Sequence, residues 1–420
     1  MDEISELKDS RVLQILKAKN GQPTLTVNNV LIHSRYDPYR EAVAFIDHHK
    51  AIYQNKDLVV AYGLGLGYHI QELLKRIDSE CKLYVFEADN DILEIAKTLN
   101  VVQEVFNDHR VQLIGGYNPA FLNEFSEKLS LVDDLLLYKP SLRVLPDDYG
   151  DFKNAILDFE LGRIGVERFS ALLKENNKLN LTLDCNIIDD FLNKYNFEAK
   201  PVIITSSGPS LDSSIMGLRK FRSQFNLFCA GSALRTLMKF QVIPDMICII
   251  DPSDLVAKQI NGYENLNVPL CFLSSASHLA VSNFQGPKYI FYNELNQGNL
   301  TIETGKSVAT ALLSISIKGK ANPIIFVGQD LAYIDNKHHT ETFTDIYGES
   351  NEVSPYDRFG TVLGVNGNQL YTNPSLLSFK RWIERTIEAN PQITFFNASK
   401  GADIRGTIKS DLKEILNDAR

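Results

Sequence analysis

Short apolar runs, each followed by a glycine- or serine-containing loop and then by a helical pattern, recur along the chain. The clearest runs are Leu58–Tyr62, Val202–Thr205 and Ile324–Val327. Such runs are typical of strands buried on both faces, and their alternation with helices is typical of a parallel, doubly wound α/β sheet. The apolar periodicity predicts helices over residues 67–76, 92–99, 213–221, 232–240, 307–318 and 376–388.

The pattern changes between Gly150 and Lys200, where strand signals fade and polar, helix-compatible sequence takes over. We therefore predict two Rossmann-like units joined by a helical connector. The predicted boundaries are 1–150 for an N-terminal α/β domain, 151–200 for the connector and 201–420 for a central domain. In sheets of this kind ligands bind outside the carboxyl ends of the strands, so the loops there are the places to search for a site.

Composition and charge exclude several classes of protein. The 420 residues are 44% hydrophobic and carry a net charge of −9, which argues against intrinsic disorder and against general binding of nucleic acid or anionic membranes. No apolar run approaches the roughly 18–20 residues of a membrane helix, and the acidic start at Met1 lacks the features of a signal peptide. We expect a cytoplasmic protein without membrane insertion, and leave its oligomeric state open.

The cysteines and histidines give little support for metal or disulfide chemistry. The five cysteines are scattered without a CxxC pair, which favours buried, reduced thiols. Adjacent histidines such as His338 and His339 point to different sides of a regular element, and no HxH or HExxH motif occurs. We predict no metal site.

The first glycine-rich loop follows the run Leu58–Tyr62. It contains Gly63, Gly65 and Gly67, and the next strand ends in Glu87. Glycines let a backbone approach a ligand closely, and a carboxylate at a strand end can bind ribose hydroxyls. The pattern resembles the cofactor entry of S-adenosylmethionine-dependent methyltransferases. The alternative is that any Rossmann-like β-α-β start needs small residues at this turn.

The second loop, Ser206-Ser207-Gly208-Pro209-Ser210, follows the run Val202–Thr205. Free amides at a helix N-terminus beside a glycine form a site for phosphate. The residues alone thus indicate a nucleotide-phosphate loop, with an ordinary capped turn as the alternative.

Five further features follow in order along the chain. They are Cys229-Ala230-Gly231-Ser232, Ile249-Ile250-Asp251-Pro252, Lys306-Ser307-Val308-Ala309-Thr310, Val327-Gly328-Gln329-Asp330 and His338-His339-Thr340. Together with the Gly-Pro-Ser loop, they resemble the motility-associated factor (Maf) glycosyltransferases, whose central domain is called MptE-like after an archaeal 6-hydroxymethylpterin diphosphokinase. The resemblance covers most of the chain, including the Gly63–Gly67 loop.

The central domain of that family is similar to bacterial sialyltransferases that use CMP-sialic acid, with a GT-A-like fold. This resemblance implies that His339 is the catalytic base, with His338 as the alternative and Asp330 as a further catalytic residue. It assigns contacts with the nucleotide sugar to Ser207, Gly208, Pro209, Ser210, Gly231, Ser232, Asp251, Ser307, Thr310 and Gly328.

The family resemblance implies transfer of a nonulosonic acid, pseudaminic or legionaminic, from a CMP-activated donor to Ser or Thr hydroxyls of flagellin. No cofactor is expected, and flagellin is the expected protein partner. Three alternatives stay open: a diphosphokinase, which would use Mg²⁺; a methyltransferase acting through the Gly63–Gly67 loop; and a non-catalytic flagellin-binding protein.

Overall fold

A computed structural model describes residues 11–195, 197, 200–294, 300–355, 358 and 360–418. Its contacts divide the chain into two compact units, Met1–Arg163 and Ile164–Arg420. The division falls inside one long helix, Gly150–Asn180. The predicted boundaries at residues 150 and 200 stay a prediction.

Within the described residues the strands are β1 (Leu13–Lys17), β2 (Pro23–Val27), β3 (Val30–Leu31), β4 (Leu58–Tyr62), β5 (Lys82–Glu87), β6 (Val111–Gly115), β7 (Leu136–Leu137), β8 (Asn186–Ile187), β9 (Val202–Thr205), β10 (Asn226–Ala230), β11 (Met246–Ile249), β12 (Leu270–Leu273), β13 (Lys288–Phe291), β14 (Ile324–Val327), β15 (Gly360–Leu363), β16 (Gln369–Thr372), β17 (Phe395–Asn397) and β18 (Ile408–Lys409).

The α-helices in the same residues are α1 (Pro38–His48), α2 (Lys50–Tyr53), α3 (Tyr68–Leu74), α4 (Asn90–Lys97), α5 (Asn100–Asn107), α6 (Pro119–Leu129), α7 (Lys139–Arg143), α8 (Gly150–Asn180), α9 (Ile188–Lys194), α10 (Ser210–Lys220), α11 (Gly231–Lys239), α12 (Ala257–Ile260), α13 (His278–Asn283), α14 (Val308–Lys318), α15 (Thr342–Tyr347), α16 (Pro374–Glu388) and α17 (Leu412–Asp418).

The first unit holds a parallel sheet in the order β6-β5-β4-β7 and a separate antiparallel sheet, β1-β2-β3. The second unit holds a nine-stranded sheet in the order β18-β17-β14-β9-β10-β11-β12-β13-β8, in which every neighbouring pair is parallel. The predicted α/β class with parallel sheets is therefore confirmed. In both units the strand before a glycine loop, β4 or β9, lies inside the sheet.

The strands of the second unit are buried because helices cover the faces of the sheet. Every residue of β9, β11, β12 and β14 is buried. Helix α14 is apolar on most of its surface, as expected of a helix enclosed by its neighbours. It begins at the carboxyl edge of the sheet and runs back toward the start of β14. The loops at the carboxyl edge are therefore connected to closely packed strands and helices.

The predicted strands at Leu58–Tyr62, Val202–Thr205 and Ile324–Val327 are present with these bounds, and a helix occurs at each of the six predicted places. All five cysteines are free, and burial raises the pKa of Cys229 to about 12. No helix among the described residues combines the length and apolar character needed to cross a membrane.

The aromatic core under β10 gives a test of the packing. Phe228 is fully buried, and its ring meets Phe197 edge-on at 5.1 Å. We expect Phe228→Ala to lower the free energy of unfolding of the second unit by about 3–5 kcal/mol, because it removes buried area and leaves a cavity. Leu255→Ala is the control, since that side chain is 53% exposed. Equal denaturant midpoints for the two variants would contradict the packing described.

Candidate functional site

The carboxyl ends of β9 and β14 lie side by side at the point where the strand order of the second unit's sheet reverses. The two strands are parallel neighbours, but the sheet continues from β9 toward β10 on one side and from β14 toward β17 on the other. Diverging connections leave a crevice between two strand ends, where ligands bind in doubly wound folds. Residues 206–210 follow β9 and residues 328–330 follow β14, so the Gly-Pro-Ser and Gly-x-Asp motifs meet here.

Backbone contact between these two loops explains their glycines. The amide of Gly208 donates to the carbonyl oxygen of Gly328 at 2.9 Å. A Cβ on Gly208 would lie 2.4 Å from that oxygen and 2.5 Å from Asp330 Oδ2. Gly328 itself has φ +67°, a conformation that favours glycine. Both glycines are thus required for the close approach of the two loops.

Asp330 ties three chain segments together. Its carboxylate is buried, with Oδ2 accepting from the amide of Ser210 at 2.8 Å and Oδ1 accepting from the amide of Lys400 at 3.2 Å. Its backbone carbonyl accepts from the amide of Ala402 at 2.6 Å. The side chain that resemblance assigns to catalysis therefore holds the start of α10 against the loop that follows β17.

Burial raises the pKa of Asp330. The Ser210 hydroxyl and amide and the amides of Lys400 and Gly401 act in the opposite direction, because they stabilise the ionised carboxylate. The buried Ser210 hydroxyl lies beside this carboxylate but makes no hydrogen bond of ordinary geometry. The amides of Gly208 and Ser210, expected to be free for a phosphate, have protein partners in this structure. The loop is therefore organised around an internal carboxylate.

His339 lies beside this loop. Its Nδ1 is 3.2 Å from Ser207 Oγ, and the amide of the next residue, Thr340, donates to the Ser207 carbonyl at 2.9 Å. Burial, together with the neighbouring His338, lowers the pKa of His339 to about 4. A hydrogen bond with Ser207 acts in the opposite direction and raises this pKa. The imidazole is therefore neutral at pH 7 and fixed on one side, which suits a proton acceptor.

His339 begins an aromatic ladder on a segment that we call the strap, residues 337–353. The ring of His339 stacks on Phe343 at 4.8 Å, and Phe343 contacts Tyr347 at 4.9 Å. The hydroxyl of Tyr347 accepts from Gln259 Nε2 at 2.7 Å. The ladder thus extends from the end of β9 to α12, beyond β11.

Two other predicted residues, Gly231 and Asp251, lie near this ladder, and Ser232 follows Gly231 in the chain. Gly231 starts α11, and a Cβ there would lie 2.5 Å from Gln259 Oε1. Ser232 is half-buried in the first turn of the same helix, which has no side-chain cap. Asp251, exposed after β11, lies near the far end. Burial raises the pKa of Tyr347. The hydrogen bond from Gln259 lowers this pKa, and the negative charge of Asp251 raises it further.

The remaining predicted residues have mainly local contacts. The buried hydroxyl of Thr310 accepts from the amide of Gly305 at 2.8 Å and bonds the backbone of Ser307, so it closes the turn that starts α14. Pro209 precedes α10 and contributes no amide hydrogen. The ring of His338 contacts the ring of Tyr333, with 5.0 Å between the ring centroids, and no hydrogen bond between the His338 ring and Ser207 is among the contacts described. The geometry therefore favours His339 over His338 as the oriented imidazole.

Sequence reasoning missed Phe343 and Asn351, which contact His339, and Tyr347 and Gln259, which continue the ladder. The spacing His339, Phe343, Tyr347 is i, i+4, i+8, which in a continuous helix would place the three aromatic rings on one face. That signal was available in the sequence. In the structure α15 begins only at Thr342, and His339 stacks on Phe343 from the turn before the helix. No comparable signal points to Gln259 or Asn351, which meet the ladder only through the fold.

The glycine loop of the first unit is filled by its own side chains. Oε2 of Glu87, which is fully buried, accepts from the amides of Leu64 at 2.8 Å and Gly65 at 3.4 Å. His33 Nε2 accepts from the amide of Leu66 at 2.8 Å. The amides and the carboxylate that a ribose or phosphate would need are therefore engaged. The residues in this state do not fit a nucleotide cofactor.

Close packing completes this internal arrangement. A Cβ on Gly65 would lie 2.6 Å from His33 Nε2, and one on Gly63 would lie 2.9 Å from Ser141 Cβ. Gly67 has φ +79° at the start of α3. The three glycines admit neighbouring side chains of the same unit.

Among the described residues, no three side chains of His, Cys, Asp or Glu are grouped so that they could hold a metal ion.

Comparisons with known proteins agree with the resemblance. The family model described as 6-hydroxymethylpterin diphosphokinase MptE-like matches residues 173–336. A Maf glycosyltransferase from Magnetospirillum magneticum AMB-1 is similar in structure with a TM-score of 0.50 and 14% identity, over 96% of this chain and 70% of that chain. No curated protein matches the chain. The prediction of an MptE-like segment within a Maf-like fold is confirmed; the sialyltransferase-like detail of the second unit stays a prediction.

The contacts of Asp330 predict a large cost for its removal. Asp330→Ala leaves the buried amide of Ser210 and the part-buried amide of Lys400 without their acceptor. We expect a loss of about 1–3 kcal/mol in the free energy of unfolding from the Ser210 amide, and a smaller loss from the Lys400 amide, because Lys400 is exposed and water can reach it. Asp345→Ala, on the exposed face of α15, is the control. Chemical denaturation measures both. Unchanged stability in Asp330→Ala would show that these contacts do not hold the loops.

Glu87 gives a pH-dependent prediction for the first unit. Burial, with the nearby Asp89, raises the pKa of Glu87 to about 7. The folded state then binds its proton more tightly than the unfolded state, so its stabilising contribution is complete below about pH 4.5 and is lost as the pH rises through 7. Relative to Glu87→Gln, the wild type should lose stability between these values with a slope of up to about 1.4 kcal/mol per pH unit. Parallel stability curves for the two proteins would disprove this.

Proposed function

We propose that the second unit is a glycosyltransferase. It moves a nonulosonic acid, pseudaminic or legionaminic, from a CMP-activated donor to Ser or Thr hydroxyls of flagellin. The observation that carries the proposal is the half-buried imidazole of His339, whose Nδ1 lies 3.2 Å from Ser207 Oγ in the loop after β9. Burial lowers the pKa of His339, which favours the neutral ring. The likeness to a Maf glycosyltransferase supports the reaction class, and the sequence motifs support the donor and the acceptor.

His339 acts as the general base in this proposal. In this proposal Nδ1 carries the proton and donates to Ser207 Oγ, which leaves the Nε2 lone pair to take the proton of an acceptor hydroxyl. The acceptor oxygen then forms a bond to the anomeric carbon while the bond from that carbon to the CMP phosphate oxygen breaks. CMP leaves with the bonding electron pair. A single displacement of this kind inverts the anomeric centre.

The donor phosphate needs positive potential while it leaves. In this proposal the N-terminus of α11, with Gly231 and Ser232, supplies amides that no side chain caps, and its helix dipole favours an anion. Exposed Asp251 and half-buried Ser307 are available to sugar or ribose hydroxyls. Asp330 acts indirectly, by keeping Ser207 and the start of α10 in place for His339.

The matched family model supports a second candidate, transfer of a pyrophosphoryl group from ATP to a pterin alcohol. A binding experiment separates the candidates before any transfer assay. We expect CMP to raise the melting temperature, since a ligand at 100 times its Kd adds about 2.7 kcal/mol to the free energy of unfolding. A shift with ATP and Mg²⁺ alone would favour the diphosphokinase. A shift with S-adenosylmethionine alone would favour the methyltransferase, and no shift with any ligand would favour a non-catalytic binding protein.

The transfer assay tests His339 directly. With a CMP-activated nonulosonic acid and purified flagellin, we expect His339→Ala to lower kcat about 10²–10⁴-fold, the usual contribution of a general base. His338→Ala is the matched control and should keep most of the activity. The wild-type rate should rise as the pH increases through the pKa of His339, because only the neutral imidazole accepts a proton. Full activity in His339→Ala would overturn this assignment.

A further inference from the structure

We propose that Asn351 is a positioning residue that fixes the orientation of His339. The proposal rests on the function proposed above, because it concerns the residue assigned there as the base. Asn351 lies twelve positions further along the chain, and no motif of the sequence singles it out.

Both the oxygen and the nitrogen of the Asn351 side-chain amide make hydrogen bonds to the backbone of His339 and Thr340. Asn351 Oδ1 accepts from the amide of His339 at 2.9 Å. Asn351 Nδ2 donates to the carbonyl of His339 at 2.8 Å and to the carbonyl of Thr340 at 3.1 Å. The backbone of Asn351 adds a fourth bond, since its carbonyl accepts from the amide of His338 at 3.1 Å. These bonds define the backbone from which the imidazole projects.

The strap has other anchors, on α11 and α12, and they differ from the bonds of Asn351. Buried hydroxyls of Thr236, Thr340 and Thr342 bond one another, with Thr236 and Thr340 3.0 Å apart. Gln259 holds Tyr347 near the other end of the strap. These anchors fix α15, whereas Asn351 joins the end of the strap back to His339. Loss of its side chain removes three bonds to the backbone of the turn that carries His339, while the backbone bonds of the strap and the anchors of α15 remain.

Only an amide side chain can make this set of bonds, because it needs an acceptor and a double donor in one plane. Alanine removes all three side-chain bonds. Aspartate keeps an acceptor for the His339 amide, but it loses both donors and places a negative charge close to the imidazole. The other charged or titratable groups of the strap are Lys337, His338, Glu341, Asp345, Tyr347, Glu349 and Glu352. Asp212 on α10 also faces it, and its Oδ2 accepts from the Glu341 amide at 3.0 Å. None of these changes in the two variants.

The experiment compares Asn351→Ala and Asn351→Asp with Ser350→Ala, a neighbouring control whose hydroxyl accepts only from the amide of Glu352 among the contacts described. We expect Asn351→Ala to lower kcat for transfer about 10²-fold, the scale of a small misplacement of a catalytic group, with little change in the KM for the donor. In Asn351→Asp the acidic limb of the pH–rate profile should move to higher pH. Ser350→Ala should match the wild type in both measurements.

Titration of the His339 imidazole by NMR of histidine-labelled full-length protein gives a readout that does not depend on activity. We expect a higher midpoint in Asn351→Asp and an altered chemical shift of His339 in Asn351→Ala, assigned by comparison with His339→Ala. A wild-type kcat and a wild-type titration in both variants would overturn the proposal. If Asn351→Ala fails to fold, Asn351→Asp decides by the same criteria.

The NMR result also separates the two proposals. If the wild type transfers no sugar but the variants change the His339 titration as expected, the proposed function fails and the positioning role holds. If the wild type is active and neither variant changes kcat or the titration, the function holds and the positioning role fails.

Discussion

The arrangement of the second unit depends on one buried carboxylate. Asp330 accepts hydrogen bonds from amides at the start of α10 and in the loop after β17, and its own backbone belongs to the loop after β14. A buried charge is costly unless several donors surround it, and backbone amides meet that need without adding a cation. Because the amides are fixed by the sheet, the carboxylate holds the strand ends at the crevice together, and Ser207 is placed for His339.

The first unit uses the same physical device at its own glycine loop. Glu87 accepts hydrogen bonds from amides of the loop after β4, and His33 accepts a hydrogen bond from another amide of that loop. Each unit therefore combines a carboxyl group and an imidazole at its glycine loop. The difference is exposure. His33 is completely buried, whereas His339 is half-buried at the carboxyl edge. The accessibility of the imidazole therefore distinguishes the two loops better than their glycine patterns do.

The sequence alone predicted the parallel sheets, three strand boundaries and the loops that form the crevice, because buried parallel strands leave a strong local pattern. It could not predict the partners of Asp330, since Lys400 and Gly401 follow seventy residues later and meet it only through the pairing of β14 with β17. The free amides expected at Ser210 were also a local inference, and a distant carboxylate engages them. Asn351 lay outside any motif for the same reason: its bonds are to backbone, which carries no sequence signature.

The low pKa of His339 follows from this construction and shapes how the site would work. Burial favours the neutral imidazole, so the proposed base needs no deprotonation before a ligand binds, but a group with a pKa near 4 accepts protons weakly at pH 7. A bound phosphate anion near the ring would favour the protonated form and raise its pKa. Donor binding would then strengthen the base in the complex that needs it. The same anion would repel a carboxylate, and Asp330 avoids this conflict because its oxygens point into amides of the protein.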